Sequence, residues 1–536
     1  MYHTCNPEAT TTLNTASEPQ EFPHRKRILA SMSVTLLVII ASITSVNLAL
    51  PEMTVDIGAS FTDATWIADA YTVAIAAFVL PFGAVADKVG RKRMMLLGLA
   101  LFAIVAVFTA LQTSPGGVIA GRAGMGVAAA MIMPGTLATI TATFPDEERA
   151  RGVATWAGIA GAGAVFGLVT SGLLLEVWSW HSVFVFTGAM AIIAAIVVHK
   201  GAPETGGHHV RFDWIGSILS ASGLGLLVWG IIDAGEAGWS DAKVLGAVFL
   251  SIALLATWVL YSLRVTDPLL DMRVFKNTRF TVGTIAVTSQ FLAQFGFFFI
   301  AMQYLQLVLG YSPLRSAVSM FPLAIVVLPL SQIVPKLLKL IPVRIILPTG
   351  LFSLLAGLLI LASMDTSSGY LHFAAGLMVL GAGVALTAPP ATTAITEGLP
   401  REKQGTASAV NDVTRELGAA LGIAIMGSMF TSAYRSTVSP LVENLSPMIA
   451  ENVERAPAVG LQIADMMGPL GGTLREGVIQ GFMDGTRASL GTVAIYLAVV
   501  AVTLAVVLFR DDRKKAADRE TSAPPKIMAV QAPTQE

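Results

Sequence analysis

Polar positions along this chain fall in clusters, and long apolar stretches run between them. Residues 33–50, 94–111, 183–198 and 493–509 contain no charged side chain. As a helix, an apolar run of about 18 residues or more can cross a hydrocarbon layer roughly 30 Å thick. The pattern predicts fourteen such helices, at roughly 28–50, 64–86, 93–112, 117–142, 152–175, 180–199, 212–232, 243–262, 280–307, 314–335, 343–363, 371–395, 406–432 and 487–509. The expected fold class is therefore an all-α membrane protein.

Composition narrows this further. Apolar residues make up 54% of the 536 positions and charged residues only 13%, about half of what a soluble domain carries. That excludes a soluble enzyme, a nucleic-acid binder and a disordered chain. Cys5 is the single cysteine, so no disulfide framework is possible. Of the 34 Lys and Arg, six (Lys243, Arg315, Arg435, Arg455, Arg475 and Arg487) fall in outer loops if both ends of the chain are cytoplasmic. Two more, Arg122 and Arg415, lie inside spans, and the other 26 fall on the inner side. This asymmetry agrees with the positive-inside rule and is what an even number of crossings produces. Residues 433–486 form a long outer connection with apolar residues at helical spacing, expected to be a hairpin of short amphipathic helices.

Charges inside a bilayer cost several kcal/mol and mark functional candidates. Five stand out. Asp69 lies in WIADAY (66–71), as either a protonatable carboxylate or an acid near a helix N-terminus. Asp412 and Glu416 are four residues apart on one helix face; two like charges that close do not both ionise cheaply, so the pair can hold a proton. Arg415 is placed either to neutralise Asp412 or to line a cavity. Arg122, in GRAGMGVAAAMIMPG (121–135), needs a carboxylate or a water-filled cavity beside it. Further cavity candidates are Asn47, Trp66, Tyr71 and Asn411, with Gln290, Gln294, Phe298 and Gln303 on the ninth span. Polar amides there are costly to leave unpaired in lipid. Glycine-rich GAGAVFG lacks the strand–turn–helix context of a phosphate loop, which argues against a nucleotide. His208 and His209 have no cysteine or carboxylate partners at metal-ligand spacing.

The loop GAVADKVGRKRMMLLG (83–98) matches G-x-x-x-D-x-x-G-R-[RK]-[RK] at Gly83, Asp87, Gly90, Arg91, Lys92 and Arg93. With it, SVNLALP (45–51), QYLQLVLGYSPLRSA (303–317) and GLPREKQGTASAVNDVTRELGAALG (398–422) make the chain resemble the major facilitator superfamily. Among its branches it is similar to the fourteen-span drug:proton antiporters (QacA-like, EmrB-like), over about residues 40–510. The resemblance implies a major facilitator fold: a cytoplasmic tail (1–27), an N-terminal six-helix bundle (28–199), a linker carrying two extra membrane helices (200–279) and a C-terminal six-helix bundle (280–509). A disordered cytoplasmic tail follows at 510–536.

The implied function is export of hydrophobic or cationic compounds across the bacterial plasma membrane. It would be driven by proton entry through Asp69, Arg122, Asp412 and Glu416, with Gly83, Asp87, Gly90 and Arg91 switching conformation. The chain would need no cofactor beyond the proton gradient, and would work as a monomer. Two positions depart from the family pattern. Ser42 stands where a first-span Asp is common, and GAVFGLVTSG (163–172) has Leu168 in place of a proline. The missing acid favours the alternative of a dedicated exporter of one antibiotic, natural product or metabolite, and the missing proline weakens the case for a kinked exporter helix and so for the direction of transport. A membrane transferase or a sensor would need a His/Asp constellation or a soluble domain, and neither is present.

The charge asymmetry predicts that a fluorescent reporter fused after residue 536 folds in the cytoplasm. Alkaline phosphatase should be active when inserted within 433–486 and inactive when fused after residue 536. Phosphatase activity at the C-terminal fusion would overturn this topology.

Overall fold

The computed structural model describes residues 24–206, 212–399 and 404–522, and among these there is no β-strand. The chain forms α1 (Arg25–Asp56), α2 (Phe61–Val89), α3 (Arg91–Ala110), α4 (Pro115–Thr143), α5 (Asp146–Val177) and α6 (His181–Gly201). Then come α7 (Trp214–Ala237), α8 (Ala242–Ser262), α9 (Thr278–Gln303), α10 (Pro313–Ser319), α11 (Phe321–Leu337), α12 (Val343–Ala362) and α13 (Tyr370–Glu397). The last elements are α14 (Gln404–Val442), α15 (Pro447–Arg455), α16 (Pro457–Met466) and α17 (Gly472–Ser522). Among the described residues, thirteen helical segments are long and apolar enough to cross a membrane, and α5 contributes the shorter apolar stretch Gly163–Val177.

Local chemistry sets the helix ends. Ser60 and Asp63 form a reciprocal capping box at the start of α2. Ser114 caps α4 ahead of Pro115 at its first position. Prolines inside helices, such as Pro51, Pro81 and Pro134, remove one backbone bond each and are tolerated where neighbouring helices cover the gap.

Helices α1–α6 pack on one another, as do α9 and α11–α14 with α17; the short α10 lies mainly against α5, while α7 and α8 pair and α7 rests against both α2 and α14. Small residues make the approaches close. A side chain on Gly167 would meet the Ala41 carbonyl at 2.6 Å, so α5 lies directly on the α1 backbone. On the other side of the molecule, Gly422 of α14 touches the Leu292 carbonyl of α9 and Gly418 that of Thr288. In an apolar solvent such contacts, rather than water exclusion, hold helices together.

Call the face where α1 begins and α17 ends the near face, and the opposite one the far face. Hydrogen bonds and aromatic contacts joining the two groups of helices lie, among the described residues, in the far half. Phe61 of α2 stacks on Phe430 of α14 at 4.1 Å and meets Phe299 of α9 edge-on at 5.4 Å. Gln306 Nε2 donates to the Leu48 carbonyl at 3.0 Å. It sits in a π-helical turn (Tyr304–Val308) that continues α9, a geometry often found at functional sites.

Several boundaries differ from the sequence reading. α14 runs on to Val442, and α17 begins at Gly472, so 433–486 is two short helices set between extended ends of long ones. The tail expected to be unstructured from 510 is helical through Ser522. Its alanines, lysines and arginines are good helix formers that continue a helix already nucleated.

Gly422→Ala is expected to lower the thermal midpoint in detergent, at a cost of about 1–3 kcal/mol, because its methyl has no room. Gly491→Ala in α17, where a side chain would meet nothing within 4 Å, is expected to be neutral or slightly stabilising. Equal midpoints for the two would argue against the close α9–α14 packing.

Candidate functional site

Arg122 is fully buried in α4. Gly126, one turn on, touches the Tyr71 carbonyl and so brings α4 onto α2. That approach lets the guanidinium reach backbone groups. Nε donates to the Ile67 carbonyl at 3.0 Å, and Nη1 lies 3.4 Å from the Ser42 carbonyl and 3.3 Å from Ser42 Oγ. The guanidinium carbon sits 4.5 Å from the centre of the Tyr71 ring, a cation–π contact strengthened by the absence of water. Tyr71 is fixed in turn by donating to the Ile39 carbonyl at 3.2 Å. Nη2 has no partner.

Asp69 is also fully buried, two turns inside α2 and well past the capping pair Ser60 and Asp63. It is therefore not a helix-capping acid. Among the described residues no ion pair within 4.0 Å joins it to Arg122. Its Oδ1 lies 2.5 Å from Thr72 Oγ1, and its Oδ2 has no partner. Asn47, on α1, is buried with its amide oxygen unpaired.

A second polar group lies on α14 and α9. Asp412, Glu416, Asn411 and Gln290 are buried, and each has one oxygen without a hydrogen-bond partner. Arg415 stacks on Phe291, 4.8 Å from the ring centre, and makes no ion pair within 4.0 Å with Asp412 or Glu416 among the described residues. The structural ion pair that the Asp412–Arg415 spacing allows is thus absent.

Gln303 bonds the Phe299 carbonyl of its own helix, and Gln294 is half-buried. Phe298 is buried among Phe295 and Phe297. Trp66 packs, half-buried, against Val228, Ile231 and Ile232 of α7. Tyr71 thus supports the Arg122 guanidinium, while the contacts described for Gln303 and Phe298 lie within α9. His208 and His209 lie outside the described residues.

At the near face the G-x-x-x-D-x-x-G-R loop is fully tied down. Arg91 Nε pairs with Asp87 Oδ1 at 2.8 Å, and its Nη1 donates to the Ala138 carbonyl of α4 at 3.0 Å. Gly83 lies against Pro134. Gly90 has φ +115°, open only to glycine at low cost. Glu204, beyond the end of α6, accepts from the Lys92 backbone N–H at 3.0 Å, capping α3 from another segment. The sequence reading missed Glu204 because nothing local ties it to residues a hundred positions earlier. It also missed Thr72, although Thr72 is three residues from Asp69, on the same helical face.

Residues 32–423 match the family described as Major Facilitator Superfamily. The chain is 31% identical to the multidrug efflux pump LfrA of Mycolicibacterium smegmatis, over 90% of this chain and 96% of that protein. It is 27% identical to the multidrug resistance protein Stp of Mycobacterium tuberculosis (88% and 90% covered). It is also 27% identical to the tetracenomycin C resistance and export protein of Streptomyces glaucescens (92% and 94%). Among solved structures, a bacterial homologue of the human lysosomal transporter Spinster, in an inward-facing and unoccupied conformation, shares the fold. Its TM-score is 0.66 at 16% identity, covering 91% of this chain and 98% of that one.

Gly90→Ala is expected to destabilise the protein by about 1–3 kcal/mol, because its backbone angle is strained for any other residue and the methyl would sit 2.7 Å from Glu204 Oε1. Adding Glu204→Ala relieves the crowding but not the strain. Full recovery of thermal stability in the double variant would argue against the backbone argument.

Proposed function

The chain belongs to the Major Facilitator Superfamily, and from that premise we propose that it exports hydrophobic or cationic drugs across the bacterial plasma membrane in exchange for protons. It is a multi-pass membrane transporter, not an enzyme. The observation that carries the proton-coupled reading is the state of Asp69, Asp412 and Glu416. All three are buried carboxyls with one oxygen unpartnered and no ion pair within 4.0 Å among the described residues. Structural acids in a membrane pair with a base; acids that exchange a proton for cargo have to be able to lose one partner and take another. Relatives named for multidrug efflux, LfrA and Stp, support the drug-export part of the reading.

In the proposed cycle the near face is cytoplasmic, the termini and the Asp87–Arg91 loop lie inside, and fourteen helices cross the bilayer. The bundles touch in the far half through Phe61, Phe299, Phe430 and Gln306, so this conformation is the one open to the cytoplasm. Cargo enters between the bundles from inside, and the acids hold or release protons as the two halves rock. A single copy suffices, because both polar groups come from one chain. The dedicated-exporter alternative is supported by Ser42, which leaves the first span without an acid, and by the tetracenomycin C relative.

Everted membrane vesicles energised by an imposed pH gradient should accumulate a lipophilic cationic dye. Asp69→Asn, Asp412→Asn and Glu416→Gln are each expected to reduce that initial rate by about tenfold or more. Wild-type rates in all three would remove these carboxyls from the mechanism, and a flux indifferent to the gradient would remove proton coupling altogether.

A further inference from the structure

Thr72 was no part of the site read from the sequence, yet it makes the closest polar contact of the most deeply buried acid. Its Oγ1 lies 2.8 Å from the Asp69 backbone carbonyl and 2.5 Å from Asp69 Oδ1. A threonine hydroxyl carries one hydrogen and two acceptor lone pairs. Within a helix that hydrogen ordinarily goes back to the carbonyl three or four residues earlier, here that of Asp69. One hydrogen cannot serve both oxygens. The contact to Oδ1 is satisfied if the carboxyl supplies the other hydrogen and the threonine oxygen accepts it.

Two further observations agree. Ionised Asp69 would leave Oδ2 unpartnered and fully buried, at a cost of several kcal/mol for a bare charge. As the carbonyl oxygen of a neutral carboxyl, Oδ2 is far cheaper to leave unmatched. An ionised Asp69 would also draw in the Arg122 guanidinium, whose Nη2 has no partner, but no ion pair within 4.0 Å joins them among the described residues. Arg122 on α4 is the charged group that acts on Asp69, and Glu416 on α14 acts on Tyr71 beside it. Ser42 of α1 holds the same guanidinium, and the apolar Val228, Ile231 and Ile232 of α7 pack in one cluster with Val73 of α2.

We propose that Thr72 is the positioning residue for the transported proton: in this conformation Asp69 is protonated, and its Oδ1–H donates to Thr72 Oγ1. Release breaks the Oδ1–H bond and passes H⁺ to water entering from the near face. The Thr72 hydrogen stays on the Asp69 backbone carbonyl, and Arg122 Nη2 gains an anionic neighbour. This rests on the proton-coupled reading above, but part of its test does not depend on transport.

The full-length protein in lipid vesicles, compared with Asp69→Asn by infrared difference spectroscopy near neutral pH, should show the carbonyl stretch of a protonated carboxyl. Thr72→Val, nearly isosteric but without a hydroxyl, should move that band to higher frequency. It should also lower the pH midpoint of dye–proton exchange by about half a unit to one unit, the shift expected when the protonated form loses one hydrogen bond. Thr72→Ser should restore both. Absence of the band in the wild type, a raised midpoint in Thr72→Val, or a Thr72→Val protein with unchanged band and midpoint would each overturn the proposal. If dye movement ignored the gradient while the band behaved as described, the transport reading would fail and the proton assignment would stand.

Discussion

A permanently charged guanidinium sits where there is no water, and much of the N-terminal half is arranged around that fact. Leaving Arg122 unsolvated and unpaired would cost more than most folds have to spare. The structure meets the demand without a carboxylate. Two backbone carbonyls, one hydroxyl and the face of one aromatic ring take its place, drawn from α1 and α2. That solution requires three helices to come unusually close, which explains why α4 carries glycine and alanine where it meets α2 and α3. Ser42 matters here for what it is not. An acid at that position would pair with Arg122 and satisfy it permanently; a serine holds it by one weak contact and leaves an N–H available.

The same economy recurs on the other side of the molecule. Arg415 is steadied by Phe291 instead of by the acids beside it, so Asp412 and Glu416 keep unmatched oxygens. Each bundle thus sets a cation against an aromatic ring while each of its buried carboxyls keeps one oxygen unmatched. A fully paired network would be more stable and would have nothing left to exchange. Around these centres the far half is closed by aromatic stacking and an inter-bundle amide contact. The near-face loop is locked by Asp87, Arg91 and Glu204. Both sets of contacts are of the small, separable kind that a rocking motion can break and remake.

Much of this was legible before any coordinates. Hydrophobic run lengths located the membrane helices to within a few residues at most ends, because an unsatisfied backbone in lipid leaves the chain little choice. The unusual charges were visible because their setting makes them expensive. Less legible was what each charge touches. Asp412 and Arg415, three apart, read as a plausible ion pair, yet Arg415 lies over the Phe291 ring of α9. Tyr71 read as a cavity wall and is the platform under Arg122. Glu204 caps α3 at Lys92, 112 residues earlier in the chain.

The sequence by itself determined the all-α, multi-span character of the chain, the rough extent of most apolar helices and the identity of the few polar groups the membrane must tolerate. Each follows from transfer free energies that act residue by residue along the chain. Only the tertiary structure decided which of those polar groups are satisfied, by whom, and which are left wanting: Arg122 on Ser42, Ile67 and Tyr71, Asp69 on Thr72, Arg415 on Phe291. Those pairings depend on how closely helices distant in sequence approach, and that distance is set by glycines whose partners no local pattern names.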